Sequence, residues 1–162
     1  MSKFEKLQPW IGLVCRLTLG GVLFVAGYLK VDKLEVSQMA VRSYELLPIP
    51  IANFLGQTLP FFEVVIGLLL IVGAATRAVA ALGGFTMFIF IIAIAQAWAR
   101  GLSIDCGCFG GGGAVAPGET RYLQEILRDA GLVAMALFLI RYPVSKFSID
   151  KAPKQSNAGD TE

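Results

Sequence analysis

Residues 59–99 read LPFFEVVIGLLLIVGAATRAVAALGGFTMFIFIIAIAQAWA, and this stretch decides how the chain is built. It is apolar almost throughout and is interrupted only at Ala75-Thr76-Arg77. Read as helices, its two halves are membrane spans, at about 59–74 and 78–99. A turn this short makes two consecutive helices antiparallel neighbours. Glu63 falls near the start of the first half and Trp98 near the end of the second.

Working outward, residues 10–29 form a further apolar run whose one interior charge is Arg16. Trp10 stands where an interfacial aromatic belongs. Gly20, Gly21 and Gly27 offer small-residue patches for close helix contact. Between this run and residue 59 lies a mixed loop in which Val36–Leu47 reads as one short amphipathic helix, ended by Pro48-Ile49-Pro50. On the other side, Arg100-Gly101 leads into a cysteine-bearing loop up to about Thr120. A fourth span follows at 122–142, with Arg128 and Asp129 in its first half. Residues 146–162 are polar, with Pro, Ser, Asn and Gly, and read as a disordered tail. The expected fold class is therefore all-α: an integral-membrane four-helix bundle over residues 1–145.

Composition agrees. The 162 residues are 56% hydrophobic with a mean hydropathy of +0.67. Only 16% are charged, against roughly 25% in soluble domains. The net charge of +2 gives no footing for a nucleic-acid partner; the surroundings to expect are the lipid bilayer. With no histidine, imidazole acid–base chemistry and His metal ligation are excluded. Three cysteines are too few for a disulfide-stapled scaffold. The first apolar run is longer than a signal-peptide core and lacks a small-residue cleavage site, so it reads as an uncleaved span.

Four spans put both termini on one side. There, and in the turn between spans two and three, Lys3, Lys6, Arg77, Arg141, Lys146, Lys151 and Lys154 outnumber Lys30, Lys33, Arg42, Arg100 and Arg121 on the opposite side. The positive-inside rule then expects cytoplasmic termini. The cysteine loop faces outward, where disulfides persist.

That loop carries Asp105-Cys106-Gly107-Cys108-Phe109-Gly110, and glycine continues to Gly113. A one-residue spacer between thiols forces a small, strained disulfide ring, and strained bridges exchange readily. Gly107, without a Cβ, lets the backbone bend to close it. The glycines after it would let a partner's backbone approach or let the loop swing. The competing readings are a fixed bridge and soft-metal binding by two thiolates, such as Cu(I). Cys15 lies on the other side of the bundle, on the order of 20 Å away, and reads as a buried filler. Asp105 opposes a neighbouring thiolate and reads as a turn cap. Phe109 is either a partner contact or loop packing.

Charges inside spans are functional hypotheses by default. Lys30, Glu63 and Arg128 lie at similar depth on the cysteine side, so they are expected to converge beneath the loop. Cations there would favour a thiolate, and Glu63 would pair with one of them or accept a proton. The plain alternative is a structural ion-pair network. Arg16, near the opposite face, is expected to snorkel or to pair with a carbonyl.

With these residues in place the chain resembles the MauE/DoxX group of small four-span redox-associated membrane proteins, on the MauE side. The resemblance runs from about Trp10 to Tyr142. It lies in Arg16-Leu17 and Gly27-Tyr28-Leu29-Lys30, in Tyr44-Glu45-Leu46-Leu47-Pro48, and in Leu59-Pro60 with Glu63 and Gly67-Leu68-Leu69-Leu70. Its most specific part is Arg100-Gly101 with Asp105-Cys106-Gly107-Cys108-Phe109-Gly110. It closes at Leu127-Arg128-Asp129, where the family commonly has Arg-Asn, so Asp129 is a departure. The resemblance implies a helical bundle in a bacterial cytoplasmic membrane, with a role in extracytoplasmic disulfide chemistry beside a thioredoxin-fold partner. The DoxX side implies a link to quinones, although no quinone motif is legible.

The resulting expectation is a membrane thiol–disulfide oxidoreductase. Cys106 and Cys108 exchange with the partner, Cys106 attacking and Cys108 resolving, with Gly107, Lys30, Glu63 and Arg128 in support. If the chain oxidises its partner, a membrane quinone is the expected sink; no other cofactor and no resident metal is expected. The rivals are a non-catalytic membrane anchor or maturation factor for a redox partner, and a copper carrier.

Overall fold

The computed structural model describes residues 3–150, except Pro117. Its elements run α1 (Lys3–Val31), α2 (Leu34–Ser43), α3 (Ile49–Val72), α4 (Thr76–Ala99), β1 (Ile104–Asp105), β2 (Gly113–Ala114) and α5 (Tyr122–Arg141). The chain is mostly helical. Among the described residues three helices, α1, α3 and α4, are long and apolar enough to cross a membrane. Their outer faces carry large apolar side chains, Phe54, Val65, Phe85 and Ile92 among them, as a lipid-facing surface requires. Helix α5 has the length, about 30 Å, but Glu125, Arg128, Asp129 and Arg141 set it apart in composition.

Small residues set the helix contacts. A Cβ on Gly67 would lie 2.5 Å from the Phe24 amide nitrogen, and one on Gly27 would lie 2.6 Å from the Pro60 carbonyl. Helices α1 and α3 therefore touch backbone to backbone. Gly84 likewise admits Ala136, bringing α4 against α5. Leu19, Leu23, Ile66, Leu70, Met87 and Leu139 fill the space between the four long helices. A second cluster of Ile94, Ala97, Ile104 and Tyr122 lies towards the cysteine loop.

Two boundaries differ from expectation. The second long helix begins at Ile49, ten residues before the expected start of that span, so Glu63 lies well inside it. Pro48-Ile49-Pro50 opens this helix instead of merely ending the one before: Pro48 is its N-cap and Pro50 sits in the first turn, where no amide partner is needed. The short helix spans Leu34–Ser43, not Val36–Leu47, and buries Ser37 and Ala40. It packs on α3 because Gly56 leaves room for the Ser37–Gln38 backbone.

Residues 146–150 also depart from the expected tail; residues 151–162 lie outside the described residues. Asp150 accepts hydrogen bonds from the Ala75 and Thr76 amides (2.8 and 2.6 Å) and so caps α4. The Ser148 hydroxyl donates to the Gly73 carbonyl at 2.8 Å. Arg16, 1% exposed, donates to the Ser145 hydroxyl (2.9 Å) and to the Lys146 and Phe147 carbonyls. A buried guanidinium needs acceptors, and this segment supplies them. Of the two readings for Arg16, pairing with carbonyls is the one observed.

Candidate functional site

The cysteines sit on the tip of a small hairpin. Strands β1 and β2 pair antiparallel, Ile104 opposite Ala114 and Asp105 opposite Gly113. Tyr122, in the first turn of α5, anchors its root: the hydroxyl donates to the Leu102 carbonyl at 2.5 Å and accepts from the Ile104 amide at 3.0 Å. Asp105 accepts the Gly107 amide (3.3 Å), the turn-capping role expected of it. The Cys108 amide donates to the Cys106 sulfur at 3.2 Å. Both thiols are free; Cys106 is partly buried and Cys108 is 8% exposed.

The glycines serve packing. Gly107 has φ 71°, and a Cβ there would lie 2.6 Å from the Ala40 Cβ. A Cβ on Gly112 would also meet Ala40, and one on Gly111 would meet the Asp105 carboxylate. The expectation of glycines kept free for swinging or for a partner's backbone gives way at these positions: the turn lies flat on α2 because nothing larger fits.

Tyr44, just past α2, ties the tip to the bundle. Its hydroxyl donates to the Cys106 carbonyl at 3.1 Å. Its own carbonyl accepts from Gln96 (3.0 Å) and Arg100 (3.2 Å), and Arg100 pairs with Glu45 at 2.9 Å. Burial and the two neighbouring thiols push the Tyr44 hydroxyl above its ordinary range, so it stays a donor.

The three expected charges do not meet as one group. Lys30 and Glu63 form a buried pair at 2.5 Å, 5% and 1% exposed. Arg128 pairs with Asp129 at 2.8 Å, and its guanidinium lies 5.0 Å from the centre of the Phe109 ring. It also interacts with Cys108. Asp129 is fully buried, which gives the departure at that position a plain role as a counter-ion. Phe109, 44% exposed, both packs against Arg128 and faces outward.

Cations were expected to lower a thiol pKa here, but Cys106 shows the reverse. Its hydrogen bond with Cys108, together with burial, pushes its thiol well above the ordinary value. A residue not singled out in the sequence adds to this. The Glu125 carboxylate, from the first turn of α5, lies with the Asp105 carboxylate and the Cys106 sulfur so that all three are within 4.8 Å of one another. One sulfur and two carboxylates are a poor match for a soft ion such as Cu(I). The signal available for Glu125 was its place: an acid at the head of an apolar helix, on the cysteine side.

Cys15 packs against the central core beside Leu19. Its helix meets the hairpin at Leu29, next to Gly110, roughly 20 Å further along the axis. An apolar cavity of about 500 Å³ opens between α3 and α4, lined by Tyr44, Leu59, Phe62, Phe85, Ile89 and Phe90. The Thr58 and Thr86 hydroxyls on its wall donate to their own helices and the Tyr44 hydroxyl to Cys106. The cavity therefore suits an apolar ring or chain held by packing.

A family model described as methylamine utilisation protein MauE matches residues 8–142. No curated protein and no solved structure matches the chain. The match takes in all the long helices and the cysteine hairpin, and the chain belongs to the MauE family of membrane proteins.

Proposed function

We propose, from membership of the MauE family, that this membrane protein is a thiol–disulfide oxidoreductase whose Cys106–Cys108 pair exchanges with an extracytoplasmic thioredoxin-fold protein. One observation carries the reading: the two cysteines are adjacent, the Cys108 amide donating to the Cys106 sulfur, with the more accessible one, Cys106, held at the tip of a hairpin fixed at both its root and its turn. That is what an attacking thiol with a resolving thiol behind it requires. Helix α5 is the fourth span, the termini are cytoplasmic, and the hairpin stands outside the cytoplasmic membrane. The family's description suggests a place in methylamine utilisation.

If the partner is oxidised, a membrane quinone is the sink by chemical class. The apolar cavity beside Tyr44 fits such a ring by packing, and a bound quinone would supply two-electron acceptance there. This chain's own part is to hold the Cys106 backbone to the cavity wall, through the hydrogen bond from the Tyr44 hydroxyl to the Cys106 carbonyl.

The test is maleimide trapping in native membranes of a Cys15→Ser chain. Cys106 and Cys108 should be protected until reductant is added, then labelled from outside by an impermeant reagent, and reoxidised by an oxidised thioredoxin-fold protein. Thiols that never cycle would sink the reading in favour of a membrane anchor. Stoichiometric Cu(I) binding lost with Cys106→Ser and Cys108→Ser would favour the carrier.

A further inference from the structure

Two carboxylates face Cys106, and Lys30 and Arg128 are already paired with Glu63 and Asp129. The two carboxylates disfavour a resting thiolate at Cys106, yet the thiolate is the nucleophile in disulfide exchange. The proton must therefore be removed at the moment of attack, by a group within reach that can also release it.

We propose that Glu125 is the proton acceptor and donor for Cys106. Its carboxylate lies within 4.8 Å of the sulfur, and its Oε2 is buried with no hydrogen-bond partner, so a lone pair is open to receive the proton. Asp105 lies within the same 4.8 Å, with its Oδ1 accepting the Gly107 amide. Glu125 also lines a polar cleft of about 600 Å³ beside the hairpin, with Asp105, Glu119, Thr120 and Arg121, which gives the proton a route to water. The groups facing Glu125 are Asp105 and Cys106 on the hairpin and Arg128 and Asp129 on its own helix; those facing Cys106 are Cys108, Glu125 and Tyr44. The raised Cys106 thiol accords with a proton held until attack.

The step rests on the thiol–disulfide reading. Cys106 gives its proton to Glu125, and the thiolate attacks one sulfur of the partner's disulfide. A Cys106–partner bond forms, the partner's S–S bond breaks, and the leaving thiolate takes the proton from Glu125. Cys108 then displaces the partner from the Cys106 sulfur, and its proton goes to the second partner thiolate. The pair is oxidised by two electrons and the partner disulfide is reduced; the sequence runs backwards for the opposite flow.

The experiment measures exchange of the full chain, Cys15→Ser, in detergent against oxidised glutathione across pH. Glu125→Gln should slow exchange about 10²-fold near neutrality, with the gap closing at alkaline pH, where hydroxide removes the proton. Glu125→Ala should be partly rescued by formate entering through the cleft, and Glu125→Asp should retain a rate between Gln and the parent. A Gln variant as fast as the parent, or faster because only a repelling charge was lost, overturns the proposal. So does a rate low at every pH and indifferent to formate, which is a folding effect. A parent chain that does not exchange with glutathione overturns the underlying redox reading, and this proposal with it.

Discussion

At the scale of single residues, the buried Lys30–Glu63 pair is the most exacting arrangement in the bundle. Two charges out of water persist only while both are present, and losing one leaves the other uncompensated. Lys30→Met should therefore destabilise by roughly 3–5 kcal/mol, seen as a large drop in the melting temperature in detergent. Adding Glu63→Leu should recover most of the loss. If the single and double variants melt alike, the pair is not the structural unit described here. Both residues were legible in the sequence as charges inside spans, and so was their shared depth. That Arg128 would go instead to Asp129 was not, because neighbours on one helix compete with partners across the bundle, and only the packed geometry decides between them. Glu125 and Tyr44 reach Cys106 from sequence distances that no local pattern spans.

Among the elements, the contact of α1 with α3 depends on the absence of side chains. Gly67→Ala would place a methyl against the Phe24 and Gly20 backbones, which cannot move aside singly. The cost should be about 1–3 kcal/mol or more. Gly21→Ala, with nothing within 4 Å, should be neutral or slightly stabilising. Comparing the two melting temperatures separates the close contact from any general effect of glycine in helices, and equal shifts would refute it. Hydropathy revealed the existence and order of the long helices. It misplaced the start of α3, because Pro48-Ile49-Pro50 can both close one helix and open the next, and local propensity does not say which. The short strands were invisible: two-residue pairings in a glycine-rich loop leave no alternating pattern to read.

For the whole molecule, residues 145–150 act as a strap across the end remote from the cysteines. Desolvation works against the Asp150 carboxylate, but the Thr76 and Ala75 amides, with Arg16 nearby, hold its pKa below the ordinary carboxylate range. A lowered folded pKa contributes stability at pH values above the unfolded value, and that contribution is lost as pH falls through the folded one. The strap should thus stay docked at neutral pH and loosen only in acid, below about pH 4. Asp150→Asn should give at neutral pH the proteolytic sensitivity near residue 146 that the parent shows only in acid. A variant as resistant as the parent at every pH would mean that the cap contributes nothing. Polar composition could not reveal this strap, since the acceptors needed by Arg16 are backbone carbonyls, which every sequence possesses.

That strap also imposes an order on biosynthesis. Arg16 emerges from the ribosome early, yet the groups that satisfy it follow 129 to 131 residues later. Until they arrive, the first helix carries a cation with no counterpart in the described bundle. Chain completion and burial of that cation are thus one event, and a product cut short before Ser145 would display an unsatisfied guanidinium.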